Sequence, residues 1–124
     1  MSKILLIDDD AASRGFFKTV AEKLLMMDTE EAGSISEAID RIAEGGIDVI
    51  FLDNTLSDGD ANAFCARLKQ TAPEAMAIPK YVVTGAHPLA CSALWTECGI
   101  LGFLLKPCSI DEIKATVNKC LSKK

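Results

Sequence analysis

The sequence predicts an α/β domain built around a parallel β-sheet. Four short and almost continuous apolar runs recur along the 124 residues, at positions 3–7, 47–52, 80–83 and 100–105. Runs of this length are typical of strands that are buried on both faces, as in a parallel sheet. Segments in which apolar residues recur at helical spacing separate the runs. Strand therefore alternates with helix, which is the pattern of an α/β fold with right-handed crossovers.

Four helices are predicted from apolar residues three or four positions apart. These residues are Phe16, Val20 and Leu24; Ile35, Ile39 and Ile42; Phe64 and Leu68; and Ile110, Ile113 and Val117. Asp10 precedes the first helix and is predicted to cap it. Ser34 with Glu37, and Ser109 with Glu112, fit the capping box, in which each side chain satisfies an otherwise unpaired backbone N–H group. Helices are therefore expected to begin after each of these three capping residues.

Two further elements complete the alternation. A short stretch at residues 29–32 is predicted to be a fifth strand, and its Glu30 and Glu31 favour a place at an edge of the sheet. Pro88 suits the first turn of a fifth helix, which comes fourth in chain order, and Gly99 suits its end. The sequence contains no repeat, low-complexity tract or linker, so residues 1–124 are expected to form one domain.

Charge and cysteine content argue against several classes of function. The net charge is −5 and the pI about 4.8, whereas binding to a nucleic-acid backbone needs clustered Lys and Arg. Five cysteines without a CxxC pair and a single His give no zinc-binding pattern, so we interpret them as reduced, mostly core thiols. No apolar run approaches the length of a membrane span, and residues 1–10 turn acidic where a signal peptide stays apolar. We expect a cytoplasmic protein that binds neither nucleic acid nor membrane.

Polar residues follow each of the four apolar runs. The three acids at positions 8–10 follow the first run, Asp53 the second, Thr84 the third and Lys106 the fourth. Because parallel strands all point the same way, these residues are expected to converge on the carboxyl edge of the sheet, where open α/β sheets bind their ligands. The sequence therefore predicts carboxylates, a hydroxyl group and an ammonium group around one crevice.

This set of side chains indicates a metal site beside a nucleophile. Crowded carboxylates repel one another, and a hard divalent cation such as Mg²⁺ relieves that repulsion. A magnesium ion beside a carboxylate, with Lys106 and Thr84 available to hold further oxygens, is suited to phosphoryl transfer. Asp53 is the predicted acceptor because it stands alone at the end of the central run.

Four motifs in this order resemble the receiver domains of two-component response regulators. They are Ile7-Asp8-Asp9, Phe51-Leu52-Asp53, Thr84-Gly85-Ala86 and Lys106-Pro107. The resemblance covers essentially the whole chain and points to a stand-alone, chemotaxis-type member. It implies a five-stranded parallel sheet in a flavodoxin-like, doubly wound, three-layer sandwich with strand order 2-1-3-4-5.

The resemblance also implies the ligands of the metal ion. Asp9 would bind Mg²⁺ directly, Asp8 partly through water, and Asp53 and the backbone carbonyl of Thr55 would each supply a further oxygen. Family members typically have a cis peptide bond before the proline, so the Lys106-Pro107 bond is expected to be cis.

A switch and its partners follow from the same resemblance. Thr84 and Lys106 would each hold a phosphoryl oxygen, and Phe103 occupies the position of the family's aromatic switch. Closure of Thr84 on the phosphoryl group would turn the ring of Phe103 inward and change a protein-binding surface. The expected donor is a histidine kinase or a histidine phosphotransfer protein, and the expected output is a downstream protein target. The chain would be a signalling domain that catalyses only its own phosphorylation and dephosphorylation.

Some positions depart from the family pattern, and other functions stay open. The family often has a proline four residues after the acceptor and a glycine eight residues after it, where this chain has Ser57 and Ala61, although Asp58-Gly59 still favours a turn. One alternative is a receiver-like module that binds a partner without phosphorylation. An aspartyl-phosphate hydrolase would need a second Asp at the position of Thr55. Flavin binding would need a phosphate-cradling loop after the first strand, and the sequence lacks one.

Overall fold

The computed structural model describes residues 2–85 and 93–122, and within them it contains a five-stranded sheet. All four strand pairings are parallel and the strand order is β2-β1-β3-β4-β5, as expected. The strands are β1 (Lys3–Ile7), β2 (Asp28–Ala32), β3 (Val49–Asp53), β4 (Lys80–Thr84) and β5 (Ile100–Leu105). The charged strand β2 lies at an edge, which confirms the prediction for that stretch.

Helices cover both faces of the sheet. They are α1 (Ala11–Thr19) with a π-helical extension (Val20–Leu24), α2 (Ile35–Ala43), α3 (Ala61–Thr71) with a following 3₁₀ helix (Pro73–Ala77), α4 (Ala93–Glu97) and α5 (Ile110–Ser122). α1 and α5 pack on one face, where they bury Phe17 and Val117, and α2, α3 and α4 pack on the other, where they bury Phe64 and Trp95. The result is the expected three-layer sandwich. Among the described residues, no helix is long and apolar enough to cross a membrane.

Alternation along each strand explains the apolar runs. In β1, Leu5 and Ile7 belong to the core cluster under α2, α3 and α4, whereas Ile4 and Leu6 belong to the cluster under α1 and α5. All four side chains are at most 2% exposed. A strand that is buried on both faces has no polar face, so its sequence is continuously apolar.

The helix caps follow the sequence signals. The Asp10 side chain accepts a hydrogen bond from the N–H group of Ala12 at 3.1 Å. Ser109 and Glu112 form a reciprocal capping box, with N–H to side-chain oxygen distances of 3.0 and 3.1 Å. At α2 the box is one-sided, because Ser34 accepts from Glu37 but the Glu37 carboxylate accepts from Gly33. The positive φ of Gly99 (79°) confirms that the fourth helix ends there. Its predicted start at Pro88 lies outside the described residues. Ala86 of the Thr84-Gly85-Ala86 motif also lies outside them.

Three of the apolar residues whose spacing predicted the helices do not point into the core. Phe16, Leu24 and Ile110 are 43%, 50% and 43% exposed. The inward face of the first helix is instead formed by Phe17 and Val20 together with Ala21. Spacing alone could not decide between the adjacent rings at 16 and 17, and the π-helical turn moves Leu24 off the inward face.

The third strand begins later than predicted. It covers Val49–Asp53 rather than 47–52, so Asp53 is its last residue. Asp48 lies just before the strand, where its N–H group donates to the carbonyl of Lys3 at 2.8 Å and its carboxylate accepts from the N–H group of Lys3 at 2.9 Å.

Candidate metal centre at the carboxyl edge of the sheet

The polar residues that follow the strands meet at one edge of the sheet. Asp8 comes directly after β1, Asp53 ends β3, Thr84 ends β4 and Lys106 comes directly after β5. In the strand registers, Asp53 lies opposite Val83, one residue before Thr84. The carbonyl of Thr84 accepts a hydrogen bond from the N–H group of Lys106 at 2.8 Å, which joins the ends of β4 and β5.

Three carboxylates form a cluster of oxygen ligands. Asp8, Asp9 and Asp53 each place one carboxylate oxygen within 4.8 Å of the other two. Asp8 and Asp53 are 6% and 8% exposed, whereas Asp9 is exposed to solvent. Carboxylate oxygens at this separation fit a hard divalent cation, and the exposed side of Asp9 leaves room for the water ligands that Mg²⁺ retains.

Lys106 reaches into the carboxylate cluster. Its Nζ lies 3.0 Å from Oδ2 of Asp8 and 3.5 Å from Oδ2 of Asp53. The peptide bond between Lys106 and Pro107 is cis, as expected. A single ammonium group thus partly neutralises two of the three acids.

The site shifts the protonation of its residues in different directions. Burial and the nearby charge of Asp8 raise the pKa of Asp53 above its usual range, although the N–H group of Thr55 works against this. Burial would also raise the pKa of Asp8, but hydrogen bonds from the N–H group of Asp10 and from Lys106 outweigh it and lower that pKa. Burial would lower the pKa of Lys106, but the two carboxylates raise it. The Asp53 charge is therefore the one that the site accommodates least well.

Backbone N–H groups fix the two buried carboxylates. Oδ1 of Asp8 accepts from the N–H group of Asp10 at 2.9 Å, and Oδ1 of Asp53 accepts from the N–H group of Thr55 at 3.1 Å. In both residues Oδ2 is the oxygen near Lys106. These contacts orient the two carboxylates toward Lys106.

Arg14 holds the backbone at the end of β1. Its Nη1 donates to the carbonyl of Asp8, and its Nε lies 3.2 Å from the carboxylate of Glu31 on β2. The side chain is 20% exposed. Arg14 therefore connects α1, the acidic loop and the edge strand.

The β3–α3 loop closes in a tight turn despite its departures from the family pattern. The N–H groups of Leu56 and Gly59 each donate to the other residue's carbonyl, at 3.0 and 3.3 Å. Gly59 has φ 147°, and a Cβ there would lie 2.8 Å from Cβ of Ala63 and 2.9 Å from Cδ1 of Ile35. Asp58 in the same turn accepts from the N–H group of Ile35 at 2.9 Å and so also caps α2.

A family model for the response regulator receiver domain matches residues 4–118. The chain belongs to this family.

Relatives of this receiver domain include one protein of similar length and several longer ones. The chain is 25% identical over 120 residues to the chemotaxis protein CheY of Bacillus subtilis, and the alignment covers 97% of this chain and 98% of that protein. It is 27% identical over 121 residues to the cyclic di-GMP phosphodiesterase response regulator RpfG of Xanthomonas campestris, covering 95% of this chain. The receiver domain spans only 31% of that protein, and 26% of the transcriptional regulatory protein ZraR of Escherichia coli.

Solved structures share the fold of the receiver domain. A two-component response regulator from Clostridium difficile superposes with a TM-score of 0.84 at 26% identity, covering 99% of this chain and 98% of that chain. A CheY-like receiver domain protein from Methanospirillum hungatei gives a TM-score of 0.85 at 21% identity, covering 99% and 95% of the two chains.

The receiver domain brings most of the predicted site residues to this edge. Thr84 is 6% exposed at the end of its strand. Thr55 contacts Asp53 through its N–H group, and the role predicted for its carbonyl stays a prediction. Phe103 is partly buried and packs against the core cluster under α2, α3 and α4. Its switching role, like the metal-binding and phosphoryl-binding roles, stays a prediction.

Two positioning residues were not predicted. Arg14 was not singled out because its partners come from β1 and β2, and only the strand pairing brings them together. Asp58 was noted only for its turn, because the N–H groups of Ile35 and Ser36 that it caps lie more than 20 positions earlier in the chain.

A groove opens beside the acidic cluster. It has a volume of about 510 Å³ and lies between the start of α1 and the β5–α5 connection. Its lining residues are Asp10, Ala12, Ser13, Phe16, Phe17, Lys106, Pro107 and Cys108. The exposed ring of Phe16 forms part of this wall.

Proposed function

We propose that Asp53 accepts a phosphoryl group in a Mg²⁺-dependent reaction and that the domain passes the signal on by binding a protein. The observation that carries this proposal is the meeting of three carboxylate oxygens within 4.8 Å, with the Lys106 ammonium 3.5 Å from the Asp53 carboxylate. Membership of the receiver family supports the same role.

The proposed reaction is a transfer from a phosphohistidine. A carboxylate oxygen of Asp53 forms a bond to phosphorus while the phosphorus–nitrogen bond to the donor imidazole breaks. Mg²⁺, when bound by Asp8, Asp9, Asp53 and the Thr55 carbonyl, supplies the positive charge that phosphoryl transfer requires. Lys106 is close enough to pair with a phosphoryl oxygen after a small movement, since its Nζ already lies within 3.5 Å of both buried acids.

The raised pKa of Asp53 is consistent with an acceptor that needs a cation. The carboxylate repels Asp8, and burial disfavours its charge. A divalent cation would relieve both effects and keep Asp53 ionised and nucleophilic. Thr84, at the end of the neighbouring strand, would donate a hydrogen bond to another phosphoryl oxygen, and this would draw β4 toward the site.

The partners are proposed from chemistry and family. A histidine kinase or a histidine phosphotransfer protein would present its phosphohistidine through the groove between α1 and the β5–α5 connection, whose wall combines Phe16 and Pro107 with the ammonium of Lys106. The output would pass to a protein target through the surface near Phe103, in the cytoplasm. Thr55 offers no second carboxylate beside Asp53, which argues against a phosphatase of the aspartyl-phosphate type.

Fluorine NMR with beryllofluoride, a mimic of the phosphoryl group, tests the acceptor directly. We expect bound-fluoride resonances in the wild type only when Mg²⁺ is present, and none in Asp53→Asn. Asp60→Asn is the matched control, because Asp60 caps α3 through Ala63 and Asn retains that capping bond. Equal binding by Asp53→Asn, or no binding by the wild type in Mg²⁺, would contradict the proposal.

A further inference from the structure

Two cysteines from different elements meet inside the core. Cys65 lies on α3 and Cys98 directly after α4, and both are 0% exposed. Their thiol groups lie within reach of one another across the packing of α3 and α4. Both belong to the core cluster under α2, α3 and α4, on the opposite face of the sheet from α1 and α5.

A buried ammonium group lies on the same face of the sheet as this pair, since Lys80 alternates with Val82 of the same cluster and its Nζ contacts Ala75 of that cluster. Lys80, the first residue of β4, is 0% exposed, and its Nζ donates to the carbonyls of Ala75 at 2.8 Å and Ile78 at 2.7 Å. Its charge acts on both thiols. A cation in a site of low dielectric constant stabilises a thiolate, which is the reactive form of cysteine.

The two sulfur atoms are not equivalent. Interaction with the Cys65 thiol lowers the pKa of Cys98, whereas the same interaction and burial raise the pKa of Cys65. Burial lowers the pKa of Lys80 to about 8, and the negative charge of a neighbouring thiolate would favour the charged ammonium. A thiolate at Cys98 with a thiol partner at Cys65 is the arrangement of an attacking and a resolving cysteine.

Another cysteine provides the contrast. Cys120 is also 0% exposed but lies in the opposite cluster under α1 and α5. Burial raises its pKa to about 11, which favours the unreactive thiol. Burial alone therefore does not account for the inequivalence of Cys65 and Cys98.

We propose that Cys65 and Cys98 are a redox-sensitive pair that closes to an intramolecular disulfide in the presence of hydrogen peroxide. The Cys98 thiolate attacks a peroxide oxygen, the oxygen–oxygen bond breaks, and Cys98 becomes a sulfenic acid while the leaving hydroxide takes up a proton to form water. The Cys65 sulfur then attacks the Cys98 sulfur, and the sulfur–oxygen bond breaks. The leaving hydroxide takes the Cys65 proton as a second water. Two thiols and one peroxide thus give one disulfide and two waters.

The disulfide would join α3 to the end of α4. Hydrogen peroxide is close to water in size, so local opening between these helices is enough to admit it. Trp95, the single tryptophan, lies on α4 in the same core cluster as both thiols and would report closure as a loss of fluorescence. This inference does not depend on phosphorylation of Asp53, and either one can fail without the other.

The test is mass spectrometry of the intact folded protein after exposure to hydrogen peroxide, followed by peptide mapping under non-reducing conditions. We expect the wild type to lose the mass of two hydrogen atoms, with the peptides of Cys65 and Cys98 linked, and to regain it on reduction. Cys65→Ala should lose the linked peptide and accumulate oxygen adducts on Cys98, whereas Cys120→Ala should form the disulfide like the wild type.

Each other outcome would overturn the proposal. Unchanged thiols at both positions in the folded wild type would mean that the pair is inert. Dimers linked between chains, or oxygen adducts on Cys98 while Cys65 stays a free thiol, would mean that the two sulfurs do not react together. These results come from the wild type, so they hold even where a variant fails to fold.

Discussion

Replacement of Lys106 by methionine removes the only cation that, among the described residues, forms an ion pair with the carboxylates of Asp8 and Asp53. Methionine retains most of the side-chain length, so the change is chiefly one of charge. Asp8 and Asp53, whose side chains are 9% and 10% exposed, then lose their counterion. We expect the metal-free protein to become less stable.

The size of the effect follows from the distances. At 3.0 Å from Asp8 the gross attraction is about 5.5 kcal/mol at an effective dielectric constant of about 20. Lys106 is 30% exposed, so solvent screens the pair, and the cost of desolvating the ammonium offsets more of the attraction. We therefore expect a net loss of about 1–2 kcal/mol in the free energy of unfolding.

Urea unfolding followed by the fluorescence of Trp95 measures this loss, first with a chelator and then with saturating Mg²⁺. The difference from the wild type should shrink with Mg²⁺, because a bound cation replaces the missing charge and adds its own binding free energy. Lys106→Arg should retain most of the stability. Lys69→Met is the control for an exposed ion pair, since Lys69 and Glu97 are 57% and 48% exposed. If Lys106→Met costs no more than Lys69→Met in the chelator, the ammonium does not stabilise the buried acids.

Three further substitutions test the frame around the site. Gly99→Ala should lower the free energy of unfolding by about 2–4 kcal/mol in urea titrations, because φ is 79° and a Cβ would lie 2.5 Å from the carbonyl of Met76; an unchanged midpoint would contradict this. Asp58→Ala should cost about 1 kcal/mol at neutral pH through loss of the α2 cap. Two backbone N–H groups hold the folded pKa of Asp58 below its ordinary 3.8. This stabilisation is therefore present above pH 3.8 and is lost as pH falls through the folded pKa. A difference in the free energy of unfolding between the wild type and Asp58→Ala that grows in acid would refute it. Arg14→Met should cost about 1–2 kcal/mol and weaken Mg²⁺ binding in calorimetric titrations, whereas the exposed Arg67→Met should do neither.

The strands and the place of the site could be predicted because they depend on local signals, whereas the strand order was expected only from the resemblance to receiver domains. Each apolar run marks a strand with two buried faces, and each polar residue that follows a run must lie at the carboxyl edge. Asp8, Asp53 and Lys106 therefore converge as expected. Thr84 ends its strand at the same edge, as predicted.

The details that the sequence did not reveal depend on contacts between distant segments. The partners of Arg14 are brought together only by the pairing of β1 with β2. Lys80 was assigned to a buried strand, but its ammonium can be buried only because carbonyls of the preceding 3₁₀ helix and of Ile78 accept its hydrogen bonds. Cys65 and Cys98 are 33 positions apart, and only the packing of α3 beside α4 brings their thiols within reach of one another. Local spacing carries no information about such pairs.

The most direct test of the central proposal is intact-mass spectrometry after incubation with acetyl phosphate, with Mg²⁺ or with a chelator. We expect the wild type to gain the mass of one phosphoryl group only with Mg²⁺, peptide mapping to assign it to Asp53, and Asp53→Asn to gain nothing. A phosphoryl adduct that persists in Asp53→Asn, or a wild type that stays unmodified in Mg²⁺, would contradict Asp53 as the phosphoacceptor.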